Sequence, residues 1–285
     1  MVIERIINSL KAEKKPSLLI LIGFLYTSLA LFLAMWTFKD QASIVFVFLT
    51  VLGAIPLMYN IIKDEEKKDV SDFHEVALLK EHGKALLAFM ALFLGITLAV
   101  TLWYSVLPSE DVGHMFANQI DTFNSINGRI TGYSGMEGVA NFSRIFFNNI
   151  KVLIFCILFS FLYGAGAIFI LTWNASVIGT AMGNIIRSNL ASAAQAVGFE
   201  QISGYLGAVS LGLLRYMIHG IPEILSYFAA GLAGGIISIA VIRHDFEGRK
   251  FEHIVLDAAD LLLIAIGLIF IAGTLEVWIT PIFFG

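Results

Sequence analysis

A guanidinium, an imidazole and a carboxylate fall within nine residues in the stretch Arg215-Tyr-Met-Ile-His219-Gly-Ile-Pro-Glu223. A second acid, Glu276, stands late in the final apolar segment, followed by Thr280 and Pro281. Apolar sequence flanks both groups. Three kinds of chemistry are open to such residues. Arg215, His219, Glu223 and Glu276 can form an ion-pair and hydrogen-bond lock between helices. They can line a binding site or an ion path. His219, Glu223 and Glu276 can also supply one imidazole and two carboxylates to a zinc ion, leaving an open position for water. Against the zinc reading, no His-Glu-x-x-His motif is present. A charge at the middle of a membrane costs about 2.5 to 3.5 kcal/mol on insertion scales, and much less near the interface. Charges kept in such sequence therefore have partners or a task.

The surroundings of these residues are set by composition. The 285-residue chain is 58% hydrophobic and 14% charged, with a mean hydropathy of +0.84. That is too apolar for a soluble domain and calls for an all-α polytopic bundle in a lipid bilayer. The net charge of −4 gives no reason to expect a nucleic-acid partner. Cys156 is the only cysteine and lies in an apolar run, so no internal disulfide can form. There is no phosphate-cradling glycine loop followed by lysine, and no Gly-x-Ser-x-Gly elbow.

Taken in order, Ile3, Ile6, Ile7 and Leu10 recur at helical spacing and predict a short amphipathic helix on the membrane surface before Lys15. Spans of about 20 apolar residues, the length a hydrocarbon core requires, follow at 18–38, 42–62 and 85–107. Between the second and third lies a charged loop, 63–84, with a soluble helix expected at 70–79. The largest polar segment runs from Pro108 to Asn149. Within it Phe116, Ile120 and Phe123 predict a small amphipathic helix. Further spans are expected at 150–173, 222–242 and 258–279. The chain thus divides into a three-span extension (1–107), an extracytoplasmic loop (108–149) and a core bundle (150–285).

Lysine and arginine placement orients the bundle. Clusters before the first span, in 63–84 and at Arg243, Arg249 and Lys250 belong on the inside. The amino terminus is then cytoplasmic and the carboxyl terminus outside. An even number of crossings must separate Lys84 from Arg243. The region 174–217 therefore supplies one crossing and leaves a segment over. Asn174 to Ala196, which carries Asn174, Gly179 and Asn184, is expected to re-enter or lie at the surface. Gly204 to Gly220 is expected to cross as a short span. The expectation is six full spans, one short crossing and one re-entrant segment. Re-entrant backbone survives only beside protein or a wet cavity.

In this arrangement Gly220 gives a sharp turn and Pro222 opens the next helix, where its missing amide hydrogen costs nothing. Glu223 then sits in a first turn favoured by the helix dipole. Asn148, Asn149, Arg215, His219, Glu223, Glu276 and Thr280 fall at one depth below the outer surface. Small residues four apart, Gly204, Ala208 and Gly212 and again Gly231 and Gly235, predict close helix packing.

Several of these stretches carry a resemblance. Phe146-Phe-Asn-Asn149, Leu171-Thr-Trp-Asn174-Ala-Ser-Val-Ile-Gly179, His219-Gly-Ile-Pro-Glu223 and Glu276-Val-Trp-Ile-Thr280-Pro281 together resemble the stage II sporulation protein M family of integral membrane proteins, over 141–281. The resemblance implies a multi-pass cell-membrane protein whose relatives in spore formers serve as the membrane component of a complex with wall-degrading enzymes. It implies that Asn148, Asn149, Asn174, Gly179, His219, Glu223, Glu276, Thr280 and Pro281 hold the family's marked positions. The expected role is a non-enzymatic scaffold or adaptor. Its partners would be the lipid bilayer, membrane or extracytoplasmic proteins, and further copies of the chain; no cofactor is expected. A transporter of a small solute, ion or lipid, and a metalloenzyme with zinc at His219, Glu223 and Glu276, are the alternatives.

Overall fold

The computed structural model describes residues 16–69, 75–127, 135–160, 165–193, 199–242 and 249–284. The amphipathic helix expected before Lys15 and most of the soluble helix expected at 70–79 lie outside them. So do the Gly204, Ala208, Gly212 and Arg215 side chains. Among the described residues there is no strand.

Helix α1 (Pro16–Thr37) opens on a proline, which is preorganised for a first helical position. A single 3₁₀ turn, Lys39–Gln41, reverses the chain into α2 (Ala42–Asp69). Helix α3 (Glu75–Val106) follows, then two short helices, α4 (Ser109–Met115) and α5 (Ala117–Asn127). The expected amphipathic piece is α5 with its leading edge: Phe116 and Phe123 are buried and Ile120 packs on the core. Helices α6 (Gly135–Ser160), α7 (Ala165–Ala193) and α8 (Phe199–Ile242) come next. Helix α9 (Arg249–Thr274) ends in a π-helical turn, Leu275–Ile279, and a last short helix, α10 (Thr280–Phe284).

Seven of these stretches are long and apolar enough to cross a membrane: 16–37, 39–61, 83–106, 136–159, 168–188, 217–238 and 251–283. Four lie between Lys84 and Arg243, the even number that the basic clusters demand. Seven crossings among the described residues would put Pro16 and Phe284 on opposite faces. Four parts of the sequence reading are corrected. The segment 108–149 is not a loop: it comprises α4, α5 and the first half of α6. The span expected at 150–173 is divided, since α6 ends at Ser160 and α7 begins at Ala165.

The third correction concerns the re-entrant segment. Asn174, Gly179 and Asn184 all lie on α7, one uninterrupted helix. Their polarity had suggested irregular backbone, but each is accommodated inside a regular span. Asn174 Nδ2 donates to the Ile170 carbonyl of its own helix at 2.8 Å. Asn184 Oδ1 accepts from the Tyr104 hydroxyl at 3.4 Å. Gly179 and Gly183 let α7 approach α3: a Cβ at Gly179 would stand 2.7 Å from Val100 Cβ, and one at Gly183 2.6 Å from Tyr104 Cβ. This is the small-residue spacing that brings helix backbones together in lipid.

The fourth correction removes the turn at Gly220–Pro222. Helix α8 runs through both residues, so Gly204 to Gly220 is not a separate crossing and Glu223 is not in a first helical turn. Pro222 cannot donate to the Ile218 carbonyl, but breaking the helix would strand more backbone groups than that one. A Cβ at Gly220 would meet nothing within 4 Å, so no close approach demands glycine there. At 1.5 Å per residue a helix of 44 residues measures about 66 Å, roughly twice a hydrocarbon core.

The amino-terminal half packs through α1, α2, α3 and α7, and the carboxyl-terminal half through α6, α8 and α9. A Cβ at Gly23 would stand 2.6 Å from the Leu92 carbonyl oxygen, and one at Gly95 would overlap the Ile20 backbone. Trp103 Nε1 donates to Ser28 Oγ at 2.9 Å across the same seam. In α8, Ala229, Ala230, Leu232, Ala233, Ile236 and Ala240 are fully buried, with Gly231 and Gly235 among them.

Candidate functional site

Continuity of α8 changes the geometry of the polar stretch. Arg215, His219, Glu223 and Tyr227 recur every four residues along one helix and form a gently winding stripe. Tyr227 is the member that sequence reasoning missed, because the expected turn hid its register with Glu223. Its hydroxyl lies 2.7 Å from Glu223 Oε1 and 3.0 Å from Asn149 Oδ1 of α6. Asn149 and Tyr227 are buried. Ser226 Oγ, also buried, donates to the Glu223 carbonyl at 2.6 Å.

The phenol carries one hydrogen but faces two oxygens. Two hydrogen placements complete the chain. In one, Glu223 carries a proton, donates it to the Tyr227 oxygen, and Tyr227 donates to Asn149. In the other, Asn149 presents its amide nitrogen to Tyr227 and Tyr227 donates to the Glu223 carboxylate. Both tie α6 to α8.

Glu276 approaches from the third element. It is close enough to Glu223 and Tyr227 for their charges to interact. It stands in the π-helical turn, whose origin is local. Pro281 has no amide hydrogen, and its ring would collide with the Val277 carbonyl in a regular helix. The backbone widens instead, and the Thr280 amide donates to the Leu275 carbonyl. Single π turns of this kind recur at functional sites. Thr280, buried, places Oγ1 at 3.5 Å from His219 Nδ1. An aromatic wedge closes this end: the Phe142 ring of α6 lies 5.4 Å from Trp278 and 5.2 Å from Phe270, and it fills the space over Gly273.

The structure joins Asn149, Tyr227 and Glu223 in one hydrogen-bonded group and His219 with Thr280 in a second. Asn148, beside Asn149 in sequence, is exposed on the other side of α6. Arg215 lies on α8 one turn before His219. Gly179 and Asn184 belong to the separate α3–α7 seam, and Asn174 bonds back to its own helix.

Among the described residues no group of three or more His, Cys, Asp and Glu side chains is arranged to hold a metal ion. Glu223 turns toward Tyr227 and His219 toward Thr280, so the three donors expected for zinc do not converge. The geometry lends the metalloenzyme reading no support.

A second polar centre lies in the α3–α7 seam. Arg187 Nη1 donates to the Tyr104 and Leu107 carbonyls at 3.1 and 2.8 Å, and Nη2 to Ser109 Oγ at 2.7 Å. These carbonyls end α3 and have no helical donor, so the guanidinium caps that helix and complements its dipole. Lys39 and Glu110 form an ion pair at 3.6 Å on the same face.

The family described as Stage II sporulation protein M matches residues 85–281. No curated protein and no solved structure matches the chain. The match begins at Ala85, well before Asn141, so it takes in most of α3 and every residue of both polar centres except Lys39; α1, α2 and the first turns of α3 precede it. The chain belongs to the stage II sporulation protein M family.

Proposed function

From that membership, we propose that this multi-pass membrane protein is a non-enzymatic scaffold of the cell membrane that holds partner proteins against its helix bundle. The observation that carries this reading is the use made of the buried polar groups. The Asn149–Tyr227–Glu223 chain joins α6 to α8, and the Thr280–His219 contact joins α10 to α8. These side chains are cross-ties between helices. A cross-tied bundle presents a fixed surface, which is what an adaptor needs.

Reconstitution in liposomes tests the reading. The scaffold is expected to pass no proton, sodium or small-solute flux under any imposed gradient, and to co-purify from native membranes with a stoichiometric partner. Flux through the wild-type chain that Glu223→Gln abolishes would sink it.

One observation favours a second reading. Glu223 and Glu276 are acids set in apolar helices of one bundle, and two neighbouring acids can hold one proton or one monovalent cation. An ion-coupled transporter would use it so. The same flux measurement decides between the two.

A further inference from the structure

Helix α6 is the least covered of the seven membrane-length stretches. In its 18-residue apolar window only 17% of residues are buried, against 67% in the corresponding windows of 83–106 and 217–238. Its buried face carries Asn149, Leu153 and Cys156 and packs on α8 and α9. Its outward side carries a polar stripe flanked by exposed Val139, Phe147 and Ile154. Glu137, Asn141, Arg144, Asn148 and Lys151 follow one another at alternating spacings of four and three, and all but the half-buried Asn141 are exposed. The same spacing continues through exposed Phe155 and Leu158. A period of 3.5 residues is the seam of a helix that has a helix for a neighbour.

The depth of this seam is fixed by its contacts with α9. Phe142 and Phe146 lie against Phe270, at 5.2 and 6.3 Å, so Arg144 between them is level with Phe270. Leu153 and Cys156 cluster with Ala265 and Ile269, which puts Lys151 near that level. From Leu261 to Leu275 α9 has no charged residue, and Leu263, Phe270 and Ile271 are exposed as lipid contacts are. Arg144 and Lys151 therefore stand on the outside of the bundle at the depth of an apolar span. Neither forms an ion pair among the described residues. Left against lipid, each would carry the mid-membrane cost of a charge.

We propose that this seam is an intramembrane docking site for a transmembrane helix of another protein, one bearing two carboxylates seven residues apart that face Arg144 and Lys151. The argument for this occupant is charge complementarity. The seam reads anion, cation, cation at intervals of seven. A second copy related by an axis along the membrane normal would set Arg144 against Arg144 and Lys151 against Lys151. An acidic helix neutralises both cations, and Asn141 and Asn148 fix its register, as polar residues in such seams do. The proposal rests on the scaffold reading and specifies where a partner sits.

The test uses the full chain in phosphatidylcholine vesicles, labelled for energy transfer to synthetic single-span helices. Three polyleucine helices are compared: one with two glutamates seven residues apart, one with two glutamines, one with neither. The glutamate helix is expected to associate at least tenfold more tightly than the other two. The double variant Arg144→Leu/Lys151→Leu is expected to lose that preference while unfolding no earlier than wild type. Arg144→Glu/Lys151→Glu is expected to prefer a lysine-bearing helix instead. Should the leucine variant fail to fold, Arg144→Gln/Lys151→Gln serves the same comparison. Equal association of all three helices overturns the proposal. So does self-association of wild type that the double variant abolishes, which would make a second copy the occupant. Rapid reaction of Asn148→Cys with a water-soluble maleimide would make the seam a wet furrow and also overturns it. None of these results produces ion flux, so the scaffold reading can survive the failure of the docking site.

Discussion

The α3–α7 seam and the α6–α8–α9 end solve the same problem in opposite ways. In the first, glycines bring backbones into contact: Gly179 and Gly183 against α3, and Gly23 and Gly95 where α1 meets α3. Its one cation, Arg187, is spent on helix-end carbonyls. In the second, contact is made by long side chains. Tyr227 bridges to Asn149, Phe142 wedges over Gly273, and acids approach one another. Backbone contact tolerates no added atom, whereas a side-chain bridge fails when one polar group is removed. The difference locates shape-limited packing in the first region and polar cross-ties in the second.

The largest effect is expected where a new methyl group meets backbone. Gly95→Ala should destabilise the bundle by about 2–4 kcal/mol, since the Ile20 main chain cannot swing aside. Thermal unfolding in detergent checks it, and a neutral result would mean the seam is looser than its geometry. Arg187→Ala is next. Stranding two carbonyls should cost about 1–3 kcal/mol, with Arg187→Lys recovering only part because an ammonium lacks the fork. Tyr227→Phe should cost about 0.6 to 1.7 kcal/mol, the range measured for hydrogen bonds between membrane helices. If it cost more than Gly95→Ala, the contrast between the two regions would be reversed. Gly220→Ala is the smallest: with open space around it, the change should be neutral or stabilise by up to about 1 kcal/mol.

The sequence made some of this legible and hid the rest for physical reasons. Runs of twenty apolar residues fixed the existence of the spans, because lipid admits no other solution. The depth shared by Glu223, Glu276 and Thr280 followed from their places near span ends. Proline and glycine misled. In water Gly220-Ile-Pro222 would end a helix, but in a bilayer the remaining backbone bonds hold it. Asn174 and Asn184 likewise looked too polar for a regular span. Asn174 bonds back to Ile170 of its own helix, and Tyr104, the partner of Asn184, is visible only in three dimensions. Tyr227 had a signal in its four-residue interval from Glu223, usable only once the helix is known to continue. The seam on α6 had one too, in its alternating spacing, but only its exposure shows that no described residue covers it.

Helix α8 ends this comparison with a mechanical point. From Phe199 to the fully buried Ala229 this one helix runs for about 45 Å. Rocking it about Ala229 by roughly 10° would sweep its first turn through about 8 Å. A shift too small to disturb Ala229 and its neighbours would thus be magnified into a displacement that a bound protein could feel, as a pointer magnifies the motion of its pivot.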